Sequence, residues 1–116
     1  MSTSYVRAAQ PGDLRGLFVE RLNAGDVDGL VALYEPNAVL GLPGGQVAAG
    51  REQIRAAYLQ LVEAKFTVTQ GEEVPTLQQG DLALTAARFE GGTKVAEVAR
   101  RQADGTWLWA LDQPGL

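Results

Sequence analysis

The chain has no histidine and no cysteine, so any chemistry it does falls to a short set of side chains. Imidazole bases, thiolate nucleophiles, disulfides and cysteine metal sites are excluded, and no metal or other cofactor is expected. Acid–base work would rest on Asp, Glu, Tyr or Lys with a pKa moved by its surroundings. The strand-like C-terminal half offers one constellation of such residues. If Gly91-Gly92 is a two-residue hairpin turn, Arg88 stands opposite Val95 and diagonal to Glu97. Carrying the pairing to the last strand-like segment gives a face with Leu84, Ala86, Arg88, Val95, Glu97, Ala99, Leu108, Ala110 and Asp112. A mainly apolar face with a few convergent charges fits a pocket wall. Glu97 and Asp112 are then the candidate catalytic carboxylates, and Leu84, Arg88 and Ala110 candidate ligand contacts. A structural Arg88–Glu97 ion pair, or a solvated face, would use the same residues. The opposite face carries Ala87, Phe89, Val98, Trp107, Trp109 and Leu111. Two tryptophans are too much apolar area to leave wet, which points to a homodimer interface on the convex side. The reverse parity would turn them into the pocket.

The elements that must position these groups are legible as a change of period. Pro11-Gly12-Asp13 opens a helix whose Leu14, Leu17, Phe18, Arg21 and Leu22 share a stripe, and Gly25 suits its left-handed end. Asp26 caps a second helix, Val27 to Tyr34, stopped by Pro36. Ala38 to Pro43 and Gln46 to Ala49 read as strands about a Gly44-Gly45 turn. A third helix runs from Arg51 to about Ala64, with Ile54, Tyr58, Leu61 and Val62 inward. The period then drops to two. Strand-like segments follow at Lys65 to Gly71, Glu73 to Gln79, Asp81 to Glu90, Thr93 to Gln102 and Thr106 to Asp112. Turns this short between them require antiparallel neighbours. Met1 to Ala9 lacks a pattern and reads as a loose arm on a single domain covering residues 1–116.

Composition limits the partners. Hydrophobic residues make up 46% and charged residues 21%, ordinary for a folded domain, with a formal net charge of −4. An acidic balance argues against nucleic acid, and Arg100-Arg101 is too short for a basic patch. No apolar run approaches the ~18–20 residues that span a bilayer. Met1 to Gln10 lacks the character of a secretory signal, so a cytoplasmic location is expected.

Three pieces in fixed order resemble the nuclear transport factor 2-like superfamily, in its ketosteroid-isomerase-like, polyketide-cyclase-like branch. They are Leu22-Asn23-Ala24-Gly25-Asp26-Val27-Asp28-Gly29-Leu30-Val31-Ala32-Leu33-Tyr34; Pro36-Asn37-Ala38-Val39 with Ala49-Gly50-Arg51-Glu52-Gln53-Ile54-Arg55; and Asp104-Gly105-Thr106-Trp107. The resemblance implies an α+β fold: a cone-shaped, curved, antiparallel (mixed) sheet wrapped around N-terminal helices, with a pocket at the open end and often a homodimer. Steroid isomerases of this branch use a carboxylate base, a tyrosine on the first helix and a protonated acid on the sheet. By position the base falls on Leu42 and the tyrosine on Phe18, neither of which can do that work. The acid falls on or beside Val98, next to Glu97, while Tyr58 matches a supporting tyrosine. Enolisation by that mechanism is therefore not expected. Phe18, Leu42, Tyr34 and Tyr58 join the candidate ligand contacts, although both tyrosines also read as core residues with a satisfied hydroxyl.

The function expected from all this is binding of an apolar or mildly polar small molecule in the cone, without a cofactor. A cyclase, dehydratase or hydrolase using Glu97 or Asp112 is the enzymatic alternative. A dimerising association module with a vestigial pocket is the third.

Overall fold

The computed structural model describes residues 5–115. Helices come first: α1 (Asp13–Asn23), α2 (Val27–Val31) and, after a short hairpin, α3 (Gly50–Glu63). Six strands form one sheet: β1 (Tyr34–Gly41), β2 (Val47–Ala49), β3 (Glu72–Gln79), β4 (Leu82–Arg88), β5 (Lys94–Arg101) and β6 (Trp107–Gln113). Their spatial order is β2-β1-β6-β5-β4-β3. All neighbours are antiparallel except β1 and β6, which are distant in sequence and run parallel. The sheet is thus mixed and open, and the architecture is the expected α+β cone.

The helix ends follow local chemistry. Gly25 closes α1 at φ 71°, where a side chain would be strained. Asp26 then caps α2, its Oδ1 accepting from the Gly29 amide at 2.9 Å. The second helix is shorter than its pattern suggests, because Tyr34 already begins β1. The Trp109 amide donates to the Leu33 carbonyl at 2.8 Å, so the sheet claims the backbone a further helical turn would need. Pro36, without an N–H, lies where the β1–β6 register shifts between Tyr34 and Val39. Arg51 on α3 reaches back, donating to the Tyr34 carbonyl at 3.0 and 2.6 Å.

Two other expectations are corrected. Lys65 to Gly71 forms no strand. The Asn23 side chain takes the place of a strand neighbour, donating to the Val68 carbonyl and accepting from its amide, both at 2.9 Å. The arm is anchored over its described part. Ala8 is buried and its carbonyl accepts from the Trp107 amide at 3.0 Å, and the Arg21 guanidinium donates to the Val6 carbonyl at 2.5 Å. Met1 to Ser4 of that arm lie outside the described residues.

The core sits between the helices and the concave face of β1, β6 and β5. Leu14, Leu22, Leu30, Leu33, Tyr34, Leu40, Ile54, Tyr58, Trp107 and Trp109 fill it.

Candidate functional site

The loop between β4 and β5 decides which side chains reach the cone. Gly91 and Gly92 both have left-handed φ, 87° and 89°, but they do not make a two-residue turn. The Phe89 amide donates to the Thr93 carbonyl at 2.8 Å and the chain between them turns through a short 3-10 segment. The strands therefore pair one residue out from the simple hairpin: Arg88 opposes Lys94, and Thr85 opposes Glu97. A one-residue slip exchanges the faces of one strand relative to the other. Leu84 and Arg88 consequently lie on the outer face of β4, exposed, and Arg88 bonds to Glu72 at 3.3 Å rather than to Glu97.

A second device acts on β6. Ala99 pairs with Trp109 and Val98 with Leu111, which leaves Ala110 as the extra residue of a β-bulge. Alternation would otherwise put Trp109 and Asp112 on opposite faces. With the bulge both turn inward, while Ala110 is buried away from the cavity lining. Trp107 and Trp109 are core residues, only 2% and 1% exposed, so the convex face does not carry them. The placement of Leu84, Arg88, Ala110 and the tryptophans is corrected by these two irregularities together.

Beneath the sheet lies an open cavity of about 1400 Å³. Arg15, Phe18 and Leu22 of α1, Tyr58 and Leu61 of α3, and Leu42 to Val47 form part of its wall. Phe66, Val68 and Thr69 complete another side with Phe89 of the loop after β4, and Val95, Glu97, Trp109 and Asp112 face it from the sheet. Of the candidate residues, the cavity thus brings together Glu97, Asp112, Phe18, Leu42 and Tyr58. Tyr34 stands behind Tyr58 as a fully buried group outside the lining.

The floor is a chain of hydrogen bonds across one row of the sheet. Thr85, Glu97, Asp112 and Leu40 are direct neighbours on β4, β5, β6 and β1. The Trp109 indole, a donor only, donates to Thr85 Oγ1 at 3.3 Å, and Thr85 donates in turn to Glu97 Oε1 at 2.6 Å. Tyr34 donates to Asp112 Oδ2 at 2.6 Å, with the Tyr58 hydroxyl 2.5 Å from that of Tyr34. Glu97 Oε2 and Asp112 Oδ1 have no protein partner among the described residues, yet no fully buried side-chain oxygen is left unsatisfied. They are therefore reachable from the cavity.

Burial penalises the charged form of each acid. Glu97 is pushed up to about 7, by burial first and by the Asp112 charge second. Asp112 is raised by burial to about 6, held there against the opposing Tyr34 hydrogen bond and the Arg15 charge. Both tyrosines are raised, chiefly by burial, and remain neutral hydroxyls. Near neutral pH Asp112 is largely ionised while Glu97 exchanges its proton. Ionised Asp112 holds the single Tyr34 proton, so Tyr58 must donate inward to Tyr34. Protonated Asp112 can donate to Tyr34 instead, which frees the chain to turn the Tyr58 proton toward the cavity. The floor can thus offer a ligand oxygen a hydrogen-bond donor or an acceptor according to its protonation. Among the described residues no cluster of Asp and Glu has the geometry of a metal site.

Sequence reading missed two groups here. Thr85 sits on the strand parity that the hairpin assumption set aside. Arg15 is 9% exposed and lines the cavity, although an arginine is ordinarily assigned to solvent. Its signal was its spacing: Arg15, Phe18 and Leu22 recur at three and seven residues, along one helix face.

A cone of curved sheet closed by three helices, with acids on the floor of a mainly apolar hollow, defines an NTF2-like, cystatin-like domain. The SnoaL-like domain profile matches residues 15–115, and the chain belongs to that family. A search of curated proteins finds no match. Among solved structures, a ketosteroid isomerase-like protein from Erwinia carotovora atroseptica is similar at TM-score 0.69 and 18% identity, covering 88% of this chain and 89% of that one. A protein of unknown function with a cystatin-like fold from Nostoc punctiforme aligns at TM-score 0.70 and 20% identity, covering 89% and 85%. An NTF2-like protein with a cystatin-like fold from Novosphingobium aromaticivorans aligns at 0.66 and 18%, covering 90% and 77%. At these identities the likeness is one of fold.

Proposed function

We propose that this protein binds a mainly apolar small molecule in the cone, with a ligand oxygen seated against Glu97 at the floor. The observation that carries this is the pairing of a large apolar cavity with two acids whose free oxygens face it. Similarity to a ketosteroid isomerase-like protein supports a small-molecule role. Steroid enolisation is not part of the proposal, because Leu42 and Phe18 line the cavity where a base and a hydroxyl would be needed. The test is calorimetric titration with a neutral naphthyl ketone, 2-acetylnaphthalene. Saturable binding that Leu42→Arg abolishes supports the cavity. Absence of saturable heat, or a Leu42→Arg variant that binds as well as the parent, sinks it.

A second reading is acid–base chemistry by Glu97, favoured by its titration near 7, where a carboxyl both gives and takes protons readily. It would place the protein with cofactor-free cyclases, dehydratases or hydrolases, and its pH–rate profile would report the floor acids.

Self-association is proposed through the outer sheet face rather than through the tryptophans. Leu77, Leu84, Val98 and Leu111 form a continuous apolar row across β3, β4, β5 and β6. Leu77, Leu84 and Leu111 are 67%, 42% and 51% exposed, an apolar strip that a second copy would cover.

A further inference from the structure

Two arginines of α1 are buried, and they differ in one respect. The Arg21 η nitrogens are satisfied by backbone: the Gly29 carbonyl at 2.8 Å and the Val6 carbonyl at 2.5 Å. Arg15 has one long bond, from Nε to the Gln70 carbonyl at 3.5 Å, and its η nitrogens meet no acceptor among the described residues. Among the described residues no carboxylate lies within ion-pair distance of it. Since no fully buried side-chain nitrogen is left unsatisfied among the described residues, those η nitrogens reach open space, and Arg15 lines the cavity.

The guanidinium is nevertheless held in place. Its central carbon sits 5.3 Å from the Phe18 ring centroid and 4.8 Å from that of Phe89. Aromatic rings stabilise the cation through its face and leave its edge donors free. Burying a charge without a hydrogen-bonded counterpart is costly, and a fork of positioned N–H donors matches a carboxylate in two parallel bonds. Among the described residues, Arg15, Glu97 and Asp112 are the only charged ones in the lining, with Arg15 the single cation.

We infer that the cavity ligand is amphipathic and anionic: an apolar body carrying a carboxylate, which the Arg15 fork binds in the hollow between Phe18 and Phe89. This rests on the small-molecule reading above and names the ligand class. Orientation follows, since Arg15 engages the acid group on the helix side while the ligand body lies on the apolar wall. A second ligand oxygen can then meet Glu97 on the sheet side. Phe18 and Phe89 act as positioning residues for the guanidinium.

The experiment compares 2-naphthylacetate with its neutral amide, 2-naphthylacetamide, by calorimetry at pH 5.5, where the probe acid is ionised and Glu97 keeps its proton. The parent protein is expected to bind the acid roughly ten- to hundred-fold more tightly than the amide, as a charge-assisted pair gives. Arg15→Met should erase that preference, and Arg15→Lys should keep part of it as a point charge without the fork. Circular dichroism of each variant checks folding, and Phe89→Leu, which loosens the guanidinium without removing it, should cut the preference several-fold. Equal affinity for the two probes, or an undiminished preference in Arg15→Met, overturns the inference. If 2-acetylnaphthalene still binds in that case, the small-molecule reading survives alone. If none of the three probes binds, both fail.

Discussion

Glu97 and Asp112 face each other as direct partners across β5 and β6, both turned into the cavity. Their burial makes the charged form of each unfavourable, and the first to ionise, Asp112, raises the second.

Stability should therefore fall as pH rises. The folded state holds its Glu97 proton up to about 7, whereas the unfolded chain releases it near 4.5. Between those values the folded state binds more protons, so unfolding free energy declines with pH and levels off above. The shift corresponds to roughly 3 kcal/mol at most. Asp112 acts with the same sign, from the ordinary 3.8 through about 6. Glu97→Gln should equal the parent near pH 4 and exceed it by about 1–3 kcal/mol at pH 8. Urea unfolding across this range decides it, and parallel curves for the two proteins would contradict the assignment.

Ligand affinity should carry the same titration with a different reporter. A ketone oxygen needs a donor, and Glu97 donates only while protonated. Affinity for 2-acetylnaphthalene should drop several-fold as pH passes 7, by the loss of one hydrogen bond. Glu97→Gln keeps an N–H donor at every pH and should flatten the profile. A steep profile retained in that variant would move the titration to another group.

Tyr34→Phe removes the donor that holds Asp112 Oδ2 at 2.6 Å. Because that bond opposes the rise caused by burial, Asp112 should titrate higher in the variant. A cost of about 1–2 kcal/mol in stability is expected from the broken buried bond. Carboxyl carbon chemical shifts followed against pH would show the change, and an unmoved Asp112 would disprove the link.

The outer apolar row predicts association that a charge disrupts. Leu84→Arg, at the middle of the row and 42% exposed, should convert a dimer to a monomer in sedimentation velocity with little loss of monomer stability. A monomeric parent would remove the proposed second copy, and an unaffected dimer would move its interface elsewhere.

Much of the fold was legible locally because local physics decides it. The Leu14, Phe18 and Leu22 spacing, the Asp26 cap and the left-handed Gly25 define helices without knowledge of the rest. The drop in period after α3 announced the strands, and their short turns their antiparallel order. Glu97 and Asp112 could be singled out because a chain without histidine or cysteine has few other acid–base groups. Which face they occupy was beyond reach of alternation alone.

That choice belonged to the tertiary structure. A two-residue and a longer loop at Gly91-Gly92 share the same glycines, yet they differ by one residue in register and so exchange Leu84 and Arg88 for Thr85. A bulge at Ala110 leaves no mark in composition, yet it alone lets Trp109 and Asp112 point the same way. Arg15 shows the same division. Its helix position is set by the sequence, while its burial without an ion pair among the described residues arises only when Phe18 on α1 and Phe89 beyond β4 close on either side of it. Period and capping act over a few residues and can be read along the chain. Register, bulges and charge partners are settled by what packs across it, between residues tens of positions apart.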